Sequence, residues 1–68
     1  MKKYYVNKTA QSDGDHEVHN ENCSFLPSIE NRKYLGTFSS CVEAIKEAKK
    51  DYPKSNGCYY CSNACHTK

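Results

Sequence analysis

Two pairs of metal-ligating residue types constrain this chain more than anything else in it: His19-x-x-x-Cys23 and, separated from it by 34 residues, Cys58-x-x-Cys61. A structural zinc site takes four tetrahedral nitrogen or sulfur ligands, commonly offered as two close pairs from distant parts of a chain, so that the ion cross-links the fold. The rest of the composition makes such a cross-link necessary. Valine, isoleucine, leucine and phenylalanine supply nine of 68 residues and the mean hydropathy is −0.96, below the aliphatic content at which burial alone holds a chain together. A structural zinc is worth roughly 10–16 kcal/mol in small peptides, comparable with the roughly 5–15 kcal/mol net stability of a whole domain. The length allows one domain, residues 1–68, with no room for a cleft between lobes.

Five cysteines (Cys23, Cys41, Cys58, Cys61, Cys65) and three histidines (His16, His19, His66) are present, and an odd number of thiols cannot all pair within one chain. The first residues, Met-Lys-Lys-Tyr-Tyr-Val-Asn-Lys-Thr, have a basic start without the apolar stretch of a signal sequence. These observations point to a cytoplasmic protein that keeps its thiols for a metal rather than for disulfides. There is no apolar run of membrane-spanning length. The formal charge of +2 and pI near 8.3 fall short of a strong electrostatic footprint for nucleic acid.

Along the chain, Lys3 to Thr9 has strand composition, Asp13-Gly14 is a hairpin turn signal, and His16 to Asn20 is the return strand. On that return strand Glu17 and His19 share one face while His16 and Val18 share the other. Ser24 to Lys33 should be an irregular loop pinned to the core by Phe25, Leu26 and Ile29, followed by a short third strand, Lys33 to Phe38, in which Gly36 marks a bulge or a close backbone approach. Ser40 and Glu43 have the spacing of a capping box, so a helix starts at Cys41. Its apolar face is Cys41, Ala44, Ile45, Ala48 and Tyr52, and Pro53 ends it. Asn56-Gly57 then reads as a tight turn, with the glycine at positive φ, aiming backbone amides at the thiolates of Cys-x-x-Cys. The expected fold is a small zinc-stapled α+β domain: three short antiparallel strands, one main α-helix and a C-terminal Cys-x-x-Cys knuckle.

The ligand set is His19, Cys23, Cys58 and Cys61. Cys65, His66 and His16 are the rivals of His19, and the set Cys23, Cys58, Cys61 and Cys65 is the all-thiolate alternative. Cys41 reads as a small buried residue in the core, with oxidation between Cys41 and Cys65 as a further option.

The order of these features resembles the Ada-type metal-binding domain, a zinc module of bacterial methylated-DNA repair proteins. The shared features are His-x-x-x-Cys, an extended segment ending in aromatic-Ser-Ser, a helix with Glu-Ala-x-x-x-Ala, a turn, and Cys-x-x-Cys, together spanning Glu17 to Cys61. The resemblance implies one zinc held by His19 and Cys23 and by Cys58 and Cys61, with the helix from Cys41 to Lys50 between the pairs. The family's first ligand is a cysteine that accepts an alkyl group. A histidine there could not do so, and Ser55-Asn56-Gly57 replaces the family's basic run. The chain is also similar to small stand-alone bacterial proteins carrying this module alone.

These readings point to a non-catalytic zinc-binding module, monomeric, presenting a surface to DNA or another protein, with neither a membrane nor a small-molecule substrate as partner. Lys46, Lys49, Lys50 and Lys54 are the candidate basic face, and Tyr59 and Tyr60 the candidate stacking platforms for exposed bases; a solvated helix face and a packed tyrosine pair are the plainer reading. The competing class is thiol-based redox or sensory chemistry by Cys58, Cys61 and Cys65, for which Cys-x-x-Cys lacks the usual βαβ setting.

Overall fold

The computed structural model describes residues 1–67. Four strands and one helix make up its regular structure: β1 (Lys2–Asn7), β2 (His16–Asn20), β3 (Arg32–Phe38), α1 (Cys41–Ala48) and β4 (Ser55–Gly57). Short 3-10 turns lie at Ile29–Asn31 and Asn63–Cys65. The sheet order is β3-β1-β2-β4. The first two strands form the expected hairpin, with Tyr5 opposite His19 and Val6 opposite Val18. Gly14 takes φ +90° in its connection, a conformation costly for any residue with a Cβ.

β3 pairs antiparallel with β1, with Tyr4 opposite Gly36 but Tyr5 opposite Tyr34. Leu35 is thus the extra residue of a bulge, and Gly36, at φ +135°, is the residue that permits it. A Cβ on Gly36 would also meet the Phe38 ring at 3.1 Å, so the bulge reading holds while the close neighbour is a side chain and not a backbone.

The sheet differs from the expected three antiparallel strands. Ser55–Gly57 is a fourth strand, and it runs parallel to β2, with His16 opposite Ser55, Glu17 opposite Asn56 and Val18 opposite Gly57. The free edge of β2 imposes this conformation on a segment with no strand propensity of its own: His16 N–H donates to the Lys54 carbonyl at 2.7 Å, and Cys58 N–H to the Val18 carbonyl at 3.0 Å. Gly57 is therefore extended strand and not a positive-φ turn; only Gly14 and Gly36 have positive φ among the described residues. Its lack of a side chain is still required, because a Cβ there would lie 2.7 Å from the Ser62 carbonyl oxygen and 2.8 Å from the Cys65 Cβ.

The helix buries Cys41, Ala44 and Ala48 against Tyr4, Val6 and Val18, with Leu35, Phe38, Ile45, Tyr52 and Cys65 packed around them. Its regular part stops at Ala48, short of the expected Lys50, and irregular turns bonded back to Ala48 carry the chain to Tyr52. Ser40 occupies the N-cap position but makes no side-chain cap hydrogen bond; the Glu43 carboxylate instead accepts from the Ser39 hydroxyl at 2.6 Å. The loop after β2 is also held otherwise than expected. Phe25 and Ile29 are exposed, and polar bonds pin the segment: Arg32 donates to the Pro27 carbonyl, Asn31 Nδ2 to the Ser28 hydroxyl, and Lys8 N–H to the Asn31 carbonyl.

Candidate metal centre

The parallel pairing of β2 and β4 builds the site. Register puts Gly57 beside Val18, so Cys58, one residue on, arrives next to His19 at the strand end. Past the end of β2 the chain turns sharply: Asn22 N–H donates to Asn20 Oδ1 at 2.9 Å and Cys23 N–H to the Asn20 carbonyl at 3.2 Å. This Asx-type turn folds Cys23 back over His19. From the other side, Ser62 N–H donates to the Cys58 carbonyl at 2.9 Å, closing the turn that carries Cys61.

The donor atoms of His19, Cys23, Cys58 and Cys61 all lie within 4.8 Å of one another. Cys23 Sγ is 3.4 Å from His19 Nδ1 and 3.9 Å from Cys58 Sγ, and Cys61 Sγ is 3.9 Å from His19 Nδ1. A tetrahedron with metal–sulfur bonds of about 2.3 Å and a metal–nitrogen bond of about 2.0 Å has sulfur–sulfur edges of about 3.8 Å and sulfur–nitrogen edges of about 3.5 Å. The four residues could therefore hold one metal ion. His19 and Cys58 are fully buried, and Cys23 and Cys61 are half-buried.

Burial shifts the protonation of three of these groups. It pushes the Cys58 thiol above its ordinary value, opposed by the backbone N–H groups of Cys61 and Tyr60 that point at its sulfur. It pushes the Cys61 thiol up to about 12, assisted by the hydrogen bond with Cys23. His19 is held below its ordinary value by the same desolvation, against the pull of the Glu17 carboxylate. Thiols raised in this way are poor nucleophiles, the opposite of the low-pKa cysteines that carry redox chemistry. A bound cation would replace the thiol protons, and the backbone N–H groups of Tyr60 and Cys61 would stabilise the charge of the Cys58 thiolate.

The rival ligands lie elsewhere. Cys65 is joined to Cys41 by a disulfide, 24 residues apart in sequence. Cys41 is therefore not the inert packed thiol expected, although it is buried, and the five cysteines divide into one bridge and three free thiols. His16 stacks on Tyr52 with ring centroids 4.3 Å apart and places Nδ1 2.8 Å from the Asn7 carbonyl oxygen. His66 has Nδ1 3.0 Å from the Gly57 carbonyl oxygen and packs edge-on to Tyr59.

One residue of the site was not singled out from sequence. Asn20, buried at the end of β2, caps the turn to Cys23 through Oδ1 and donates from Nδ2 to the Cys61 carbonyl at 3.1 Å. It thus links the two half-sites directly. Its one advance signal is position: an asparagine between the two ligands of the first pair, where a turn must begin.

The candidate binding residues divide among four places. Lys46 and Lys49 flank a shallow groove floored by Val42, Ile45, Ala64 and Cys65. Lys50 pairs with Glu47 at 3.0 Å, and Lys54 reaches the Asp13 carbonyl in the β1–β2 connection. Tyr59 and Tyr60 are exposed beside the metal knuckle, where Tyr60 stacks on exposed Phe25 with centroids 4.5 Å apart and Tyr59 meets Tyr60 edge-on.

Among the described residues no helix is long and apolar enough to cross a membrane. In comparisons with known protein families, curated proteins and solved structures, nothing matches this chain.

Proposed function

We propose that this protein is a non-catalytic module whose Cys3His centre binds a single structural zinc ion, and that the folded unit presents a surface to nucleic acid or to another protein. The observation that carries the reading is the set of near-tetrahedral distances among His19 Nδ1 and the three sulfurs. Three thiolates and one imidazole in a closed tetrahedral set suit zinc and leave no open coordination position for a substrate. The raised thiols of Cys58 and Cys61 and the commitment of Cys65 to a disulfide weigh against thiol-based redox or sensory chemistry. The resemblance to Ada-type domains belongs to this reading, with His19 in the place of the alkyl-accepting cysteine. The exposed Phe25–Tyr60 stack with Tyr59 beside it supports a binding role, since stacked exposed aromatics offer a platform for bases or apolar side chains.

The test is elemental analysis of protein purified without added metal, with circular dichroism before and after a strong chelator. One zinc per chain, with loss of structure on chelation, is the expected result. No metal uptake, even with zinc supplied in excess, would overturn the reading. Nucleic acid is then separated from protein as partner by binding to single-stranded DNA at several salt concentrations, because phosphate contacts weaken steeply with salt.

A further inference from the structure

His19 has two ring nitrogens, and the site uses one. Nδ1 faces the sulfurs of Cys23 and Cys61. Nε2 points the other way, and among the described residues it is the buried side-chain nitrogen or oxygen left without a hydrogen-bond partner. A buried polar atom in that state is costly, so the structure should offer it something. The Glu17 carboxylate is within reach, with Oε1 3.6 Å from Nε2. Strand alternation puts it there: Glu17 and His19 are two apart on β2 and share a face. The Glu17 side chain is 26% exposed, so its terminal torsion, a broad one, is free to turn.

Resting on the metal-binding reading above, we propose that Glu17 is the positioning residue of this centre: its carboxylate accepts a hydrogen bond from His19 Nε2–H and thereby holds the imidazole in the tautomer whose bare Nδ1 faces the ion. In a neutral imidazole one nitrogen carries the proton and the other offers its lone pair. An acceptor at Nε2 fixes the proton there. The carboxylate also raises the basicity of Nδ1 and balances the charge that a cation places on the ring. A small rotation of the Glu17 carboxylate would shorten the 3.6 Å separation to hydrogen-bond length. Glu17 offers no atom to the metal itself; the four-ligand set is complete without it.

The test compares the wild type with Glu17→Ala, Glu17→Gln and, as a control for loss of one exposed negative charge, Glu47→Ala. Zinc affinity is measured against a chromophoric chelator, and the His19 tautomer is read by two-bond proton–nitrogen NMR correlation on the zinc-loaded chains. In the wild type Nδ1 should be the metal-bound nitrogen and Nε2 should carry a slowly exchanging proton. Glu17→Ala should weaken zinc 10–100-fold, the range seen when such orienting partners are removed, and should speed exchange of the Nε2 proton. Glu17→Gln, which keeps an acceptor oxygen, should recover most of the affinity, and Glu47→Ala should match the wild type. Metal bound through Nε2, or a Glu17→Ala chain with wild-type affinity and unchanged Nε2–H exchange, would overturn this role while leaving the zinc centre standing. A wild-type chain that takes up no zinc would instead overturn the centre, and the role of Glu17 with it.

Discussion

Removing the Cys41–Cys65 bridge by the double substitution Cys41→Ala/Cys65→Ala tests how this chain divides its stability between two cross-links. The bridge closes a loop with a sequence separation of 24. The chain-entropy relation then gives about 11.6 cal/mol/K removed from the unfolded ensemble, or about 3.5 kcal/mol at 25 °C. At roughly 0.05–0.15 kcal/mol per residue, a chain of this length has about 3–10 kcal/mol in total, so the bridge accounts for a large fraction of what the metal-free chain has. Urea unfolding followed by circular dichroism should be run in chelator and again in saturating zinc. With a slope near 1 kcal/mol/M, the low end for small proteins, the metal-free midpoint should fall by about 3 M, leaving the variant largely unfolded in buffer. Saturating zinc should restore the fold, because Cys61 lies four residues before position 65 and is itself anchored to β2 through the centre. Wild-type protein treated with a non-chelating phosphine reductant should reproduce the variant. A midpoint shift below about 1 M in chelator would refute the reasoning, since the bridge would then constrain little that the sheet and helix do not already fix.

Replacing Asn20 with Ala removes both the cap on the turn to Cys23 and the donor to the Cys61 carbonyl. The expected cost is about 1–3 kcal/mol of stability, checked by the same urea titration; Asn20→Asp, which keeps the cap oxygen, should lose less than the alanine variant. The metal-free chain should be most stable between about pH 6.5 and pH 9. His19 has a lowered folded-state pKa, so below its ordinary value of 6.5 the unfolded chain takes up a proton that the folded chain resists. Cys61, pushed up to about 12, keeps its proton in the folded chain, so above the ordinary thiol value of 9.0 the unfolded chain loses a proton first and gains stability. Urea midpoints measured in chelator from pH 5 to 10 check both limbs. A midpoint that rises steadily above pH 9 would contradict the second.

The elements readable in the sequence are those whose signal is local. Alternation defines β2, helical spacing defines the buried face Cys41, Ala44 and Ala48, and Gly36 marks a real bulge. What escaped is held by tertiary contact. Ser55-Asn56-Gly57 has the composition of a turn, and it is a strand because the free edge of β2 supplies its hydrogen-bond partners. Phe25 and Ile29 look like anchors in sequence and are exposed; the loop that carries them is instead fixed by Arg32, Asn31 and Lys8. In the same way, ligand spacing brings out His19, Cys23, Cys58 and Cys61, because each pair is close in sequence. The roles of Asn20 and Glu17 depend on how the two pairs meet, which no local pattern records.

The buried core explains why two cross-links converge on one short segment. Its buried members are Tyr4, Val6, Val18, Cys41, Ala44 and Ala48, of which two are aliphatic residues larger than alanine. Such a core can align one helix against one sheet, but in the chain beyond β4 its apolar contact is with Cys65. That segment, residues 58–65, is tied twice instead. An ion held by Cys58, Cys61, His19 and Cys23 would bind it to the end of β2, and Cys65 binds it to the first residue of the helix. The two ties reach opposite layers, so the segment clasps sheet to helix at the edge where the apolar contacts end. Gly57 is where the clasp closes, with no space for a Cβ between it, the Ser62 carbonyl and Cys65. The even number of cysteines needed for disulfides alone was never required. Three thiols and a histidine are placed to hold an ion, two cysteines form the bridge, and each tie would hold in place the segment on which the other acts.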